Sequence, residues 1–322
     1  MKRLFVIPRI PVESRFRTAL LSFAAAMMVL ALHPSASFAQ SAQEKTFSSP
    51  GNAVLAFYKA AKAGDAESLN AILGANAGKI LHSGDDVADK TLLSNFVAHY
   101  DQMHRLVLET DQTATLYVGP ANWPMPISLV KNNGGSWYFD TEAGTKEILY
   151  RRIGRNESDA TETLHALIDA QNEYASTTHD GEKTKHYAAK LFSDEGKHNG
   201  LYWKTSGSEP PSPVGPLLAG AADEGYTRKQ GQPIGYRGYI FRLLTRQGPA
   251  AKGGARDYMA NGQLTRGVAF VAYPAEYRNS GVMTFIISAD DVVYEKDLGP
   301  DTAKEAAAIS EFNPDTTWTP SD

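Results

Sequence analysis

From Val54 the apolar positions fall at Val54, Phe57, Tyr58 and Ala61, the three-and-four spacing that gathers side chains on one face of a helix. Ser49 before Pro50 supplies an N-cap with proline in the first turn, and Gly64 closes the helix. Asp65 then caps a second helix carrying Leu69, Ile72 and Leu73. A short strand is expected around Ile80 and Leu81, after which Leu92, Leu93, Phe96, Val97 and Tyr100 restore the helical period. Beyond this point the period falls to two. Residues 105–109, 114–118, 127–131 and 136–140 read as successive strands of an antiparallel meander, the last pair joined by Asn132-Asn133-Gly134-Gly135.

The second half repeats the order of helix before sheet. The spacing predicts a helix from 142 to about 153, ended by Gly154, and another over 158–175 with Leu164, Leu167, Ile168, Gln171 and Tyr174 on one side. The expected domain boundary lies between them: a tether over 40–46, a first domain over 47–153, and a second over 154–322. Residues 176–233 are rich in glycine, proline and serine and read as a loop-rich insertion with one helical piece over 186–192. Strands follow over 238–244, 268–273, 282–287 and 292–295, with a tight turn at 289–291. Thr302 with Glu305 predicts a capping box for a last, alanine-rich helix. The fold class is α+β.

Three resemblances follow. Helices leading into a meander that ends in Trp137-Tyr138-Phe139-Asp140, opened by Ser49-Pro50 and Ala63-Gly64-Asp65, resemble the cone-shaped nuclear-transport-factor-like (SnoaL-like) fold. A long helix, a variable loop and a short antiparallel sheet containing Gly281-Val282-Met283-Thr284-Phe285 are similar to the globular head of type IV pilins and pseudopilins. Pilins polymerise through an attached apolar helix. Here a polar domain precedes the head, so only the head's architecture carries over. At finer grain the chain resembles the secreted bacterial proteins called domain of unknown function 2950. The phrases that carry this are Ser83-Gly84-Asp85 with Val87-Ala88-Asp89, Arg151-Arg152-Ile153-Gly154-Arg155-Asn156-Glu157, Gly200-Leu201-Tyr202-Trp203, Pro211-Ser212-Pro213 with Gly215-Pro216-Leu217, and Lys296-Asp297-Leu298-Gly299-Pro300-Asp301-Thr302. The resemblance implies export and brings no activity with it.

Export is also written in the first 39 residues. A basic stretch ending at Arg15 and Arg17 precedes the apolar run from Ala19 to Leu32, and Ser37-Phe38-Ala39 offers a small-residue cleavage site before Gln40. The run is shorter than the roughly 20 residues that span a bilayer, and Pro34 closes it, so a cleaved signal peptide is expected rather than an anchor. That places the protein in the periplasm or outside the cell, with no membrane span after cleavage. The five basic and one acidic residues of this leader carry +4, so its loss moves the formal net charge from −4 to −8. An acidic chain has no electrostatic reason to seek nucleic acid. The absence of cysteine excludes disulfides, thiolate nucleophiles and cysteine-ligated metals.

No phosphate loop, dinucleotide glycine pattern, Gly-x-Ser-x-Gly or His-Glu-x-x-His is present, and no catalytic residue, metal ligand or cofactor is assigned. His99, Asp101 and His104 contain the right donors for a metal, yet residues five apart on a helix project from different faces. His179 and His186 flank a glycine-containing stretch. Asp85, Asp86 and Asp89 lack the calcium-loop pattern and suit the positive N-terminus of a helix beginning near Lys90. Arg151, Arg152 and Arg155 form a basic knot suited to an anion, a partner's carboxylates or an interdomain salt bridge. Tyr58, Tyr100, Tyr117, Trp123 and Trp137 are candidates to line a binding cavity, and Tyr202 and Trp203 are candidates beside the extended Glu209-Pro210-Pro211-Ser212-Pro213. That stretch suits either recognition by an aromatic groove or a stiff connector. The reading that results is a non-catalytic, envelope-associated binding or assembly accessory, its partner an envelope protein or a small ligand. The alternative is a hydrolase or isomerase using the first domain's cavity with His99, Asp101 or His104 as acid or base.

Overall fold

The computed structural model describes residues 44–205, 210–226 and 234–321. The expected leader and Ser206–Glu209 lie outside the described residues, as does most of the tether. Helices α1 (Pro50–Ala63) and α2 (Ala66–Leu73) start where their caps say: the Ser49 hydroxyl accepts from the Asn52 amide, the Asp65 carboxylate accepts from Ser68, and Gly64 takes the left-handed conformation between them. The strand expected at Ile80 is instead a short helix, α3 (Ala77–Leu81). Two adjacent apolar residues cannot distinguish the two periods, and Ile80 is buried from a helical turn. Helix α4 (Asp86–Gln102) begins four residues before Lys90, because Asp85 is its N-cap.

Strands β1 (His104–Thr110), β2 (Thr113–Val118), β3 (Trp123–Pro124), β4 (Leu129–Lys131) and β5 (Trp137–Phe139) form the first antiparallel sheet, ordered β1-β2-β4-β5, with β3 also on β2. Val54, Phe57, Leu69, Ile72 and Leu73 from the helices pack on Ala114, Leu116, Leu129 and Phe139 from the sheet.

The break expected at Gly154 does not occur. Helix α5 runs from Thr141 to Ala175, 35 residues without interruption, or about 52 Å at 1.5 Å per residue. Its buried face includes Arg152, Asn156, Ala160, Thr163, Leu164, Leu167, Ile168, Gln171 and Tyr174, a continuous helical repeat whose polar members hide it from an apolar count. Gly154 lies on the exposed side, with open space where a Cβ would stand.

The helix expected over 186–192 is also absent. Buried Gln171 replaces its bonds, donating to the Ala188 carbonyl at 2.9 Å and accepting from the Ala188 amide at 2.8 Å, so this segment lies extended along α5. Helix α6 (Gly215–Asp223) forms within the stretch read as loop. Beyond it, β6 (Ile234–Tyr236) and β7 (Tyr239–Leu244) lead to the short strands β8 (Arg246–Gln247), β9 (Arg256–Asp257), β10 (Met259–Ala260) and β11 (Gln263–Leu264). Then come β12 (Ala269–Pro274), β13 (Met283–Ser288), β14 (Val293–Asp297), helix α7 (Thr302–Ala308) and β15 (Thr319–Pro320).

The second sheet is antiparallel, ordered β15-β14-β13-β12-β7-β6 among the described residues. One face, with Tyr239, Phe241, Phe270 and Phe285, packs on α5 residues Leu164 and Ile168. The other, with Leu244, Val271 and Ile286, packs with Ala306 of α7, Phe312 and Tyr258. Sheet residues buried on both sides explain the unbroken apolar run through Ala269, Phe270, Val271 and Ala272. The capping box at Thr302 is not made. Asp301 is the N-cap residue, without a side-chain cap bond, and the Thr302 hydroxyl turns back to donate to the Gly299 carbonyl at 2.5 Å.

A partly buried polar seam joins the two halves. Asp85 caps α4 through one oxygen, accepting from the Val87 and Ala88 amides, and through the other accepts from the Tyr226 hydroxyl at 2.7 Å and the Gly238 amide at 2.9 Å. Arg152 donates to the Lys79 and Ile80 carbonyls at the end of α3 and to the Asn279 side chain at 2.7 Å. Asn156 donates to the Ser280 carbonyl, and Glu157 accepts from the Val282 and Met283 amides. Burial pulls the Arg152 guanidinium below its ordinary value, and the charges of Asp89 and Glu276 oppose this.

Candidate functional site

The described residues leave an open cleft of about 480 Å³ where the excursion between β7 and β12 folds against the end of β13, a size suited to a small molecule. Tyr187, Lys252, Arg256, Tyr258, Arg266 and Asp290 supply its chemistry. Gln247, 5% exposed, fixes the floor. Its amide nitrogen donates to the Lys252 and Gly254 carbonyls at 2.9 and 2.6 Å, and its oxygen accepts from Arg256 at 3.1 Å and from the Tyr258 hydroxyl at 3.0 Å. Four bonds on one side chain set the path of the loop between β8 and β9. Its outer side is held by the Gly248 amide donating to Phe312 and the Ala250 amide donating to Asn313. Burial pushes the Tyr258 hydroxyl up to about 12, so it sits in the wall as a neutral donor.

Gly267 lets this wall close. Its φ is +151°, and a Cβ there would stand 2.6 Å from the Tyr258 ring. Gly267→Ala is expected to cost about 2 kcal/mol through overpacking and backbone strain, read as a lower urea midpoint with an unchanged slope.

The cleft's charge is uneven. Lys252, Arg256 and Arg266 have no carboxylate partner among the described residues, whereas Arg151 and Arg237 elsewhere do. Against these three cations stands one acidic lining side chain, Asp290, in a chain whose formal net charge is −4. Guanidinium groups without carboxylate partners, in a lining that also holds an ammonium, suit an anion, because the planar fork of arginine matches carboxylate and phosphate oxygens.

The residues singled out from sequence lie elsewhere. Tyr58 and Tyr100 stack at 4.2 Å, and the Tyr58 hydroxyl donates to Asp101 at 2.5 Å while Lys62 donates to both. Hydrogen bonds from Tyr58 and Lys62 hold the exposed Asp101 carboxyl below its ordinary value. His104 stacks on Tyr100 at 3.7 Å with Nδ1 at the Tyr100 carbonyl, and His99 lies against Gly119. No hydrogen bond joins His99, Asp101 and His104 to one another. Among the described residues no group of three or more His, Cys, Asp or Glu is placed to hold a metal.

Tyr117 lies under Arg105, Trp123 is exposed under Arg151, and Trp137 is buried in the first core against Phe47, so these three keep separate company from the tyrosine stack. Arg151 also pairs with Glu147, Arg155 is exposed, and Arg152 is enclosed in the seam. Tyr202 meets Phe192 edge to face. Trp203 is buried and donates to the Pro210 carbonyl at 3.2 Å, which presses the start of the proline-rich stretch onto the body. His179 stacks on Tyr174, and His186 contacts Glu182. Sequence reasoning missed every lining residue of the cleft. The available signal was three cations in the glycine-rich stretch from Gly248 to Gly267.

Compared with known proteins, residues 44–320 match the family model described as "Protein of unknown function (DUF2950)". The chain belongs to the DUF2950 family. No curated protein and no solved structure gives a significant match. The match spans both sheets, the seam and the cleft, so all are parts of what the DUF2950 model covers.

Proposed function

We propose that this DUF2950 protein is an exported, non-catalytic binding accessory of the cell envelope, and that its ligand is an anion seated in the cleft between Lys252, Arg256 and Arg266. The carrying observation is that three cations without carboxylate partners are among the residues lining a cleft whose floor is fixed by Gln247. A cleft for binding needs preset charge and shape. A catalytic one needs in addition a nucleophile or an acid and base within reach of each other; of the lining hydroxyls, that of Tyr258 is committed to Gln247. Export rests on the leader's basic, apolar and small-residue segments.

The same reading treats 47–153 as a cone-like domain and 154–322 as a pilin-head-like domain, with α5 running unbroken across the boundary. Helices packed on a five-stranded antiparallel sheet support the first, and a long helix beneath an antiparallel sheet supports the second. No described helix is long and apolar enough to cross a membrane.

Calorimetric titration of the chain lacking residues 1–39 with phosphate, sulfate, citrate and glucuronate tests this reading. At least one anion is expected to saturate a single site, and Arg256→Ala with Arg266→Ala together is expected to abolish the heat. Absence of binding by every anion, or chemical conversion of a bound one, would overturn the proposal.

A further inference from the structure

Resting on that reading, we infer that the ligand is a small, soluble, hydroxylated molecule carrying a phosphate monoester, such as a sugar phosphate. Three features select it. The lining side chains carry three positive charges and one negative, a surplus of two, and a phosphate monoester near neutral pH carries about −1.5 to −2. A uronate or other single carboxylate carries −1 and leaves the surplus half neutralised.

The charges also come from separate segments of the chain. Lys252 and Arg256 come from the loop and strand of the β8–β9 hairpin, Arg266 from the segment before β12, and Asp290 from the turn after β13. Asp290 repels an anion and accepts hydroxyl donors, so the phosphate belongs with the cations and a neutral, hydroxyl-bearing body belongs toward Asp290. Thr265 and Ser288 add hydroxyl groups to the same lining. Finally, the volume of about 480 Å³ exceeds what an inorganic anion fills and accommodates a monosaccharide-sized body.

The test is calorimetric titration with glucose 6-phosphate, glucose, glucuronate and inorganic phosphate, together with sedimentation of the protein with vesicles containing phosphatidic acid. Glucose 6-phosphate is expected to bind at one site at least tenfold more tightly than glucuronate or inorganic phosphate, with no detectable binding of glucose or vesicles. Arg266→Ala is expected to weaken glucose 6-phosphate at least tenfold. The Arg266 side chain has no hydrogen-bond or ion-pair partner among the described residues, so this variant keeps the fold. Asp290→Asn is expected to tighten inorganic phosphate while reducing the advantage of the sugar phosphate over it, a change that a purely structural role for Asp290 would not produce. Glucuronate binding as tightly as glucose 6-phosphate, binding to vesicles alone, or an unchanged affinity in Arg266→Ala would overturn the assignment of ligand class while leaving an anion site. Failure of every anion tested above would remove the site itself.

Discussion

Asp85→Ala is expected to lower the free energy of unfolding by about 4 kcal/mol, well beyond the roughly 1 kcal/mol of an ordinary N-cap. The difference comes from the second carboxylate oxygen. One oxygen serves the Val87 and Ala88 amides of α4, as a cap should. The other receives the Tyr226 hydroxyl and the Gly238 amide from segments more than 140 residues away. Removing the carboxylate strands two donors in the partly buried seam at about 1–3 kcal/mol each, and releases the start of α4 as well. Asp85→Asn separates the contributions. It retains one acceptor oxygen but turns an NH2 group toward donors, so about half the loss is expected. Urea unfolding checks both variants, and a loss no larger than that of Asp65→Ala, whose carboxylate caps α2 alone, would refute the bridging role.

Arg152→Ala is expected to cost a similar amount, about 4 kcal/mol, with a fall of roughly 10 °C in melting temperature. The guanidinium closes the C-terminal end of α3 by satisfying the Lys79 and Ile80 carbonyls, and its third bond holds Asn279. Asn279 in turn donates to the His82 carbonyl and to Glu276. Alanine leaves buried acceptors without donors. Lysine has the charge but not the planar spread, so Arg152→Lys should recover only part of the stability. Arg151→Ala is the internal control: its i,i+4 pair with Glu147 and its position over Trp123 are exposed, and a loss below about 1 kcal/mol is expected. Equal effects of Arg151→Ala and Arg152→Ala in thermal unfolding would contradict the seam.

These two residues also mark where sequence reasoning stops. Caps are local, so Ser49, Gly64 and Asp65 were legible one by one, and so was the two-residue period of the first sheet. Asp85 was legible as one of three carboxylates near a helix N-terminus but not as a partner of Tyr226 and Gly238, because nothing local specifies a bond spanning 141 or 153 residues. Arg152 sits in a conspicuously basic phrase, yet its neighbours Arg151 and Arg155 are exposed. Only the packed structure separates the one that is enclosed.

The continuity of α5 was missed for a related reason. Its inward face carries Arg152 and Asn156 where an apolar pattern would have announced a helix, while Gly154 on the outward face announced an ending. The cleft was the least legible feature. Lys252, Arg256 and Arg266 carry no motif spacing; the four-bond amide of Gln247 shapes the loop that carries the first two, and the Arg266 amide donates to the Tyr258 carbonyl at 3.2 Å.

Gly154 acquires a different meaning once its surroundings are known. In a bare helix it would be a swivel, but two residues before it Arg152 is bolted to Asn279, and two residues after it Asn156 is bolted to Ser280. The 279–280 corner therefore acts as a splint across the weakest link of the rod. Bending there would have to drag the corner, the end of α3 and the entry to β13 along with it, so the 35-residue helix moves as a single lever or not at all.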